Sequence, residues 1–177
     1  YLCEDPLSTL IEAAKKANVT HIVNIGINIK TSLKALDSHT QYPDIIFPTI
    51  GIHPGESKDS PRLAELKDLA QTHPFAAIGE IGFDYYNMYA PKDIQIDLFI
   101  KQLDIAQQLN LPVIIRNRHA DDDIKAIMTD FPNITKILHC FSSSAAFAES
   151  MCNNTTFFSF AGNITYAKKG KTINALR

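Results

Sequence analysis

What the chain has little of narrows its chemistry first. It holds three cysteines, Cys3, Cys140 and Cys152, in 177 residues. An odd number without metal-type spacing gives neither a disulfide framework nor a cysteine metal site, and suits a reducing, cytoplasmic setting. Positive charge is not in excess, since 17 Lys and Arg stand against 19 Asp and Glu, a net of −2. That removes the basic footprint needed to grip long duplex DNA without regard to sequence. There is no apolar run of membrane-span length and no signal-peptide pattern. The seven glycines form no G-x-G-x-x-G fingerprint of an open dinucleotide-binding sheet. No Ser-His-Asp arrangement suggests itself, and the cysteine spacing does not support a thiol nucleophile. Without repeats, low-complexity tracts or Pro/Gly-rich linkers, residues 1–177 read as one domain. The first residue is Tyr1 rather than Met, so the true amino terminus is expected upstream.

What is there is a strict alternation of helices and strands. Asp5-Pro6 starts a helix with Leu7, Leu10, Ile11, Ala14 and Ala17 on one face. A strand over His21–Ile27 and a weaker helix over Thr31–Thr40, carrying Leu33 and Leu36, come next. Ile45–Ile52 is a strand, and Ser60-Pro61 opens a helix with Leu63, Leu66, Leu69 and Ala70 inward. Phe75–Ile78 reads as a short strand buried on both faces, with Glu80 at its end between Gly79 and Gly82. Glycines there let backbone or ligand approach closely. Pro91–Leu109 is the longest helix, using Leu98, Phe99, Leu103, Ile105 and Ala106 as its apolar residues. Leu111–Ile115 is a strand, Asp121–Thr129 a helix, Ile134–His139 a strand, Ser142–Met151 a helix and Thr155–Phe160 a strand. Six strands with short connections make a parallel α/β protein.

In a (β/α)8 barrel, chemistry sits at the carboxyl ends of successive strands. Reading those ends gives His53, Glu80, Arg116 with Arg118, and His139. A carboxylate placed as Glu80 is needs a cation, because an unpaired buried charge is strongly disfavoured. One such residue alone is as well explained by a solvated loop or a hydrogen-bonded core histidine. Four neighbouring strand ends in phase make a site.

The segments Gly51-Ile-His-Pro54, Gly79-Glu-Ile-Gly-Phe-Asp-Tyr-Tyr86, Leu111-Pro-Val-Ile-Ile115 and Leu138-His-Cys-Phe-Ser142 stand in an order and spacing that resemble the TatD family of metal-dependent deoxyribonucleases. This is a branch of the amidohydrolase-like barrels, and the similarity covers essentially the whole chain. It implies a (β/α)8 TIM-type barrel with strands two to seven represented. A complete barrel runs to ~250 residues, so the chain is expected to be part of a longer protein. The tail after Thr165 is either the lead into a seventh helix or, over Thr172–Arg177, the family's closing helix.

The resemblance further implies two divalent ions (Mg, Mn or Zn), held by a His-x-His pair on the first strand, a Glu on the fourth, one His each on the fifth and sixth, and an Asp on the eighth. Glu80 matches the bridging carboxylate and His139 the sixth-strand histidine, while Arg116 stands at the fifth-strand histidine position. Within the resemblance His53 matches a substrate or phosphate contact, with a strand cap as the plain alternative. Arg118 is read as a phosphate clamp from its guanidinium chemistry, with a surface ion pair as the alternative, and Arg116 could likewise supply positive charge to phosphate. The implied activity is phosphodiester hydrolysis at DNA ends or in single strands, with Glu80 catalytic and no membrane or obligate protein partner. An amidohydrolase-like reaction, or a catalytically weakened barrel kept for binding, are the alternatives, and Arg116 favours the second. Glu80 and His139 are expected within about 4–7 Å of each other, as a shared binuclear site requires. Either Asn117 or His119 would fill the gap if Arg116 swung outward. Cys140 should face away from His139 by strand alternation. Asp121–Asp123 should cap a helix and complement its positive end. Tyr85 and Tyr86 could stack on a base, but packing as wall residues is the expected role.

Overall fold

A computed structural model describes residues 5–166. Its elements, in order, are α1 (Leu7–Lys16), β1 (Ile22–Asn24), α2 (Ile29–Gln41), β2 (Ile46–Ile50), a 3-10 stretch (Pro54–Arg62), α3 (Leu63–Thr72), β3 (Ala77–Asp84), α4 (Lys92–Leu109), β4 (Val113–Arg118), α5 (Asp121–Thr129), β5 (Lys136–His139), α6 (Ala145–Met151), β6 (Thr156–Phe158) and α7 (Asn163–Tyr166). All strand pairs are parallel, in the unbroken order β1-β2-β3-β4-β5-β6. A doubly wound sheet would reverse direction at a switch point, whereas a sequential order winds one way. The sheet curls as it does so. Glu80 N–H donates to the Gly26 carbonyl just beyond β1 at 2.9 Å, although β2 lies between them. Flat strands two apart stand about 10 Å from each other, so this bond requires a concave face. Thr49 completes the seam: its hydroxyl accepts from Gly26 N–H and donates to the Gly79 carbonyl at 2.5 Å.

All eight residues of β3 are buried, the mark of a central strand covered on both faces. Its outer side meets α4, where Phe83 and Phe99 pack edge to face at 4.9 Å. Leu98, Phe99, Leu103, Ile105 and Ala106 are all buried, as their spacing requires. The β3–β4 pairing runs Ile78↔Val113 and then Ile81↔Ile115, one extra residue on β3, a bulge at Gly79-Glu80 that re-aims the Glu80 side chain. Backbones meet closely beside it. A Cβ on Gly79 would lie 2.6 Å from Ile114 Cβ, and one on Gly82, whose φ is +121°, would land on the Arg116 carbonyl. The glycines thus admit a neighbouring strand rather than a ligand.

Several expected boundaries move. Glu80 does not end its strand. Buried pairing carries β3 on to Asp84, four residues later. The second helix starts at Ile29 because Asn28 and Thr31 form a reciprocal capping box. It buries Ile29, Ser32 and Ala35 instead of Leu33, which is exposed. In α1 only Ile11 is buried, against Ile45 and Ile46, and Leu10 is exposed. Pro61 lies within the 3-10 stretch and α3 opens two residues later. The tail beyond Tyr166, including Thr172–Arg177, and Cys3 lie outside the described residues.

Candidate active site

The concave face gathers side chains from β3, β4, β5 and the turn after β2. Glu80, 7% exposed, meets His139 across β4, with Oε1 to Nδ1 at 2.8 Å. They are closer than the 4–7 Å expected, because the pair is hydrogen-bonded directly. His53 Nε2 stands 3.9 Å from the other carboxylate oxygen. Burial would raise the Glu80 carboxyl, but the His139 hydrogen bond, with favourable electrostatics from His139, His53 and Arg116, outweighs it and holds the group below its ordinary value. Glu80 is therefore an anion that accepts, and His139 donates to it from Nδ1, with Nε2 turned away from the carboxylate. His53 is fixed differently. Its Nδ1 accepts from Gly55 N–H at 2.9 Å, so its Nε2 carries the proton. Burial, reinforced by Arg116 and opposed by Glu80, holds this ring below its ordinary value and neutral at pH 7.

Arg116 and Arg118 both turn to one buried carboxylate, Asp84, as residues two apart on a strand can. Arg116 Nη2 lies 3.1 Å and Arg118 Nη1 3.8 Å from Asp84 Oδ2. Asp84 also accepts from the backbone and side-chain N–H of Asn87, each at 2.9 Å. Burial raises its carboxyl, yet the two Asn87 hydrogen bonds and Arg116 together keep it below its ordinary value. Arg116 Nε is buried without a partner. Beside these groups opens a hollow of about 280 Å³ lined by Arg116, Asn117, Arg118, His139, Cys140, Ser142 and Asn163. A second hollow of similar volume, at the amino ends of β4 and β5 by Gln107, Asn110 and Thr135, is lined by no titratable group.

The expected site residues His53, Glu80, Arg116, Arg118 and His139 are thus neighbours. Neither substitute for Arg116 takes its place. Asn117 bonds Asp121 at 2.7 Å and Ser143, and His119 turns its ring onto Tyr86. Cys140 departs from its expected role. It follows β5 in a left-handed conformation, φ 51°, outside strand alternation, and lines the hollow while half-buried. Asp121–Asp123 fill the first turn of α5, but the cap position is Ala120. Tyr85 is the wall residue foreseen, with its OH on Asp123 at 2.7 Å, whereas Tyr86 is 61% exposed.

Sequence reasoning missed three supports. Asp84 was readable only as part of a motif. Gln102 and Gln95, seven apart on the buried face of α4, each serve a strand end. Gln102 pairs with both the N–H (2.7 Å) and C=O (3.0 Å) of Ile52, next to His53. Gln95 accepts from Asp84 N–H at 3.0 Å and donates to the Ala90 carbonyl. Glutamines in phase with Leu98 and Phe99 were the available signal.

Comparison with known proteins adds a lineage. Residues 2–177 match the family model described as TatD related DNase. An "Uncharacterized metal-dependent hydrolase YabD" from Bacillus subtilis is 36% identical over 173 residues, covering 94% of this chain and 68% of the relative. A "3'-5' ssDNA/RNA exonuclease TatD" from Erwinia tasmaniensis is 29% identical over 171 residues, covering 94% and 66%. Among solved structures, the TatD homolog YJJV from Escherichia coli superposes with a TM-score of 0.82 at 26% identity, covering 97% of this chain and 69% of that one. The chain thus spans about two thirds of the length of these relatives. No helix among the described residues is long and apolar enough to cross a membrane.

Proposed function

The chain belongs to the TatD related DNase family, and from that footing we propose that it is the greater part of a (β/α)8 barrel, β1–β6 being strands two to seven, that hydrolyses phosphodiester bonds in DNA ends or single strands with divalent metal. One observation carries the reading: an ionised Glu80 hydrogen-bonded to His139 at 2.8 Å beside two guanidinium groups. This joins a proton-accepting carboxylate and an imidazole nitrogen to a cradle for phosphate.

Whether these residues fit a metal is a question of donor chemistry. Among the described residues no group of three His, Cys, Asp or Glu is arranged to hold one. Glu80 and His139 fit two ligand places of a single divalent ion, given a shift of their mutual hydrogen bond. The place beside Arg116 fits none, since a guanidinium has no lone pair and repels a cation. Glu80 and His139 would hold the ion that fits. When bound it would polarise a phosphoryl oxygen and acidify water.

The remaining work falls to the chain's own groups. Arg116 and Arg118 engage phosphate oxygens, the former with an unpartnered Nε to offer. His53 presents a neutral Nε2–H as a hydrogen-bond donor, fixed by Gly55. Glu80 orients His139 and can take up a proton. Asp84 holds both arginines in place. The specific observation favouring a weakened catalyst is the Arg116–Asp84 pair, which keeps a cation where the family implies a metal ligand.

The test is release of nucleotides from an end-labelled single-stranded oligonucleotide by the intact protein. Mn²⁺ or Mg²⁺ should support release, chelator should stop it, and Glu80→Gln should slow it roughly 100-fold or more. Hydrolysis of cyclic amides without any cleavage of DNA would instead establish the amidohydrolase-like alternative.

A further inference from the structure

The turn after β3 puts aromatic surface where the proposed hydrolysis has no stated use for it. Tyr86 is 61% and Tyr89 60% exposed. Tyr89 Cδ2 lies 3.3 Å from the place a Gly55 Cβ would take, beside His53. Tyr86 stands on the other flank, under Arg118, whose guanidinium carbon is 4.1 Å from the ring centroid. His119 meets the same ring at right angles, 5.5 Å between centroids. Arg118 therefore belongs to two surfaces at once: it lines the 280 Å³ hollow with Arg116 and His139, and its guanidinium stands over the ring of an exposed tyrosine. What sets Tyr86 apart from an ordinary exposed ring is that its open aromatic surface adjoins, through Arg118, a hollow lined by guanidinium groups.

We propose that the Tyr86–Arg118 stack is a nucleobase platform. In this arrangement the phosphate enters the hollow between the two guanidinium groups, and the base of the adjoining nucleotide lies on the tyrosine–guanidinium plane. The occupant is an unpaired base of a single strand, because stacking on a side chain needs a π-face released from its duplex neighbours. Charge complementarity fits the same occupant, since Arg118 stands over the Tyr86 ring and joins Arg116 in lining the hollow, while the chain as a whole carries −2. The stack reads no base identity, having only planes to offer, so it distinguishes single from double strand and base from no base.

This inference rests on the nuclease reading, and its test separates the two. Binding of a short single-stranded oligonucleotide to the intact protein is measured in chelator, with and without abasic sites at the two terminal positions, for wild type, Tyr86→Ala and Tyr86→Phe. Wild type should bind the normal strand roughly 5- to 150-fold more tightly than the abasic one, the range of base–aromatic stacking. Tyr86→Ala should lose most of that difference while binding the abasic strand as wild type does, and Tyr86→Phe should keep it. Equal weakening of both strands by Tyr86→Ala would make Tyr86 merely a support for Arg118 and overturn the platform. So would a wild type indifferent to the abasic sites while it still degrades DNA. Failure to bind either strand in chelator, together with failure to cleave either once Mn²⁺ is restored, would remove the nuclease reading itself, and the platform with it.

Discussion

Gln102 is the most demanding test of how the site is held. Its side-chain amide closes a two-bond pair with the Ile52 backbone, at 2.7 and 3.0 Å, and both residues are fully buried. Gln102→Leu keeps roughly the volume and leaves the Ile52 N–H and C=O without the partners they have in a place that water does not reach. Each buried polar group left unpaired costs about 1–3 kcal/mol, so two cost about 2–6 kcal/mol, partly offset by the added apolar contact. For a chain of this size each kcal/mol lowers the melting temperature by about 2–4 °C, which gives a drop of about 5–15 °C by calorimetry. Ile52 precedes His53, so the surviving folded protein should also bind phosphate less well. Gln102→Glu keeps an acceptor for Ile52 N–H but buries an unpaired carboxylate against the Ile52 carbonyl, and at pH 7 should be destabilised at least as much as Gln102→Leu. An unchanged melting temperature in Gln102→Leu would refute the argument that this amide, rather than apolar packing, anchors the turn.

Other outcomes follow from the same geometry. Gly79→Ala forces a Cβ to within 2.6 Å of Ile114 Cβ and 2.9 Å of its carbonyl oxygen and should cost about 1–3 kcal/mol in denaturant unfolding. Gly162→Ala, with nothing within 4 Å of the new carbon, should stay within about 0.5 kcal/mol. Asp84 has its carboxyl depressed below 3.8 in the folded state. The stability it supplies is present above its unfolded value and is lost as pH falls through the lower folded one. Melting temperatures between pH 5 and 2 should therefore decline less steeply in Asp84→Asn than in wild type. A parallel decline would show that Asp84 gains nothing from Arg116 and Asn87.

The sequence made the strand ends legible because short apolar runs locate the strands and a barrel presents its chemistry at one edge. His53, Glu80, Arg116, Arg118 and His139 were found that way and are neighbours in space. What stayed hidden depends on tertiary pairing. Nothing local announces that β3 continues to Asp84, because its extension is pairing of Gly82, Phe83 and Asp84 with Arg116, Asn117 and Arg118. Cys140 escaped the alternation rule because the strand ends at His139 and the next residue turns left-handed. Tyr86 was taken for a wall because a Tyr-Tyr pair does not say which ring faces inward. Tyr85 bonds Asp123 and stacks on Phe83, which leaves Tyr86 to the surface.

The central claim is that Glu80 and His139 form the metal-binding centre and that Arg116 denies it a second ion. Titration of the intact protein with Mn²⁺, followed calorimetrically, tests this most directly when wild type is compared with Glu80→Gln and Arg116→His. The account predicts about one ion per chain in wild type, none of comparable affinity in Glu80→Gln, and a second ion with faster oligonucleotide hydrolysis in Arg116→His. Two ions bound by wild type, or binding untouched by Glu80→Gln, would contradict it.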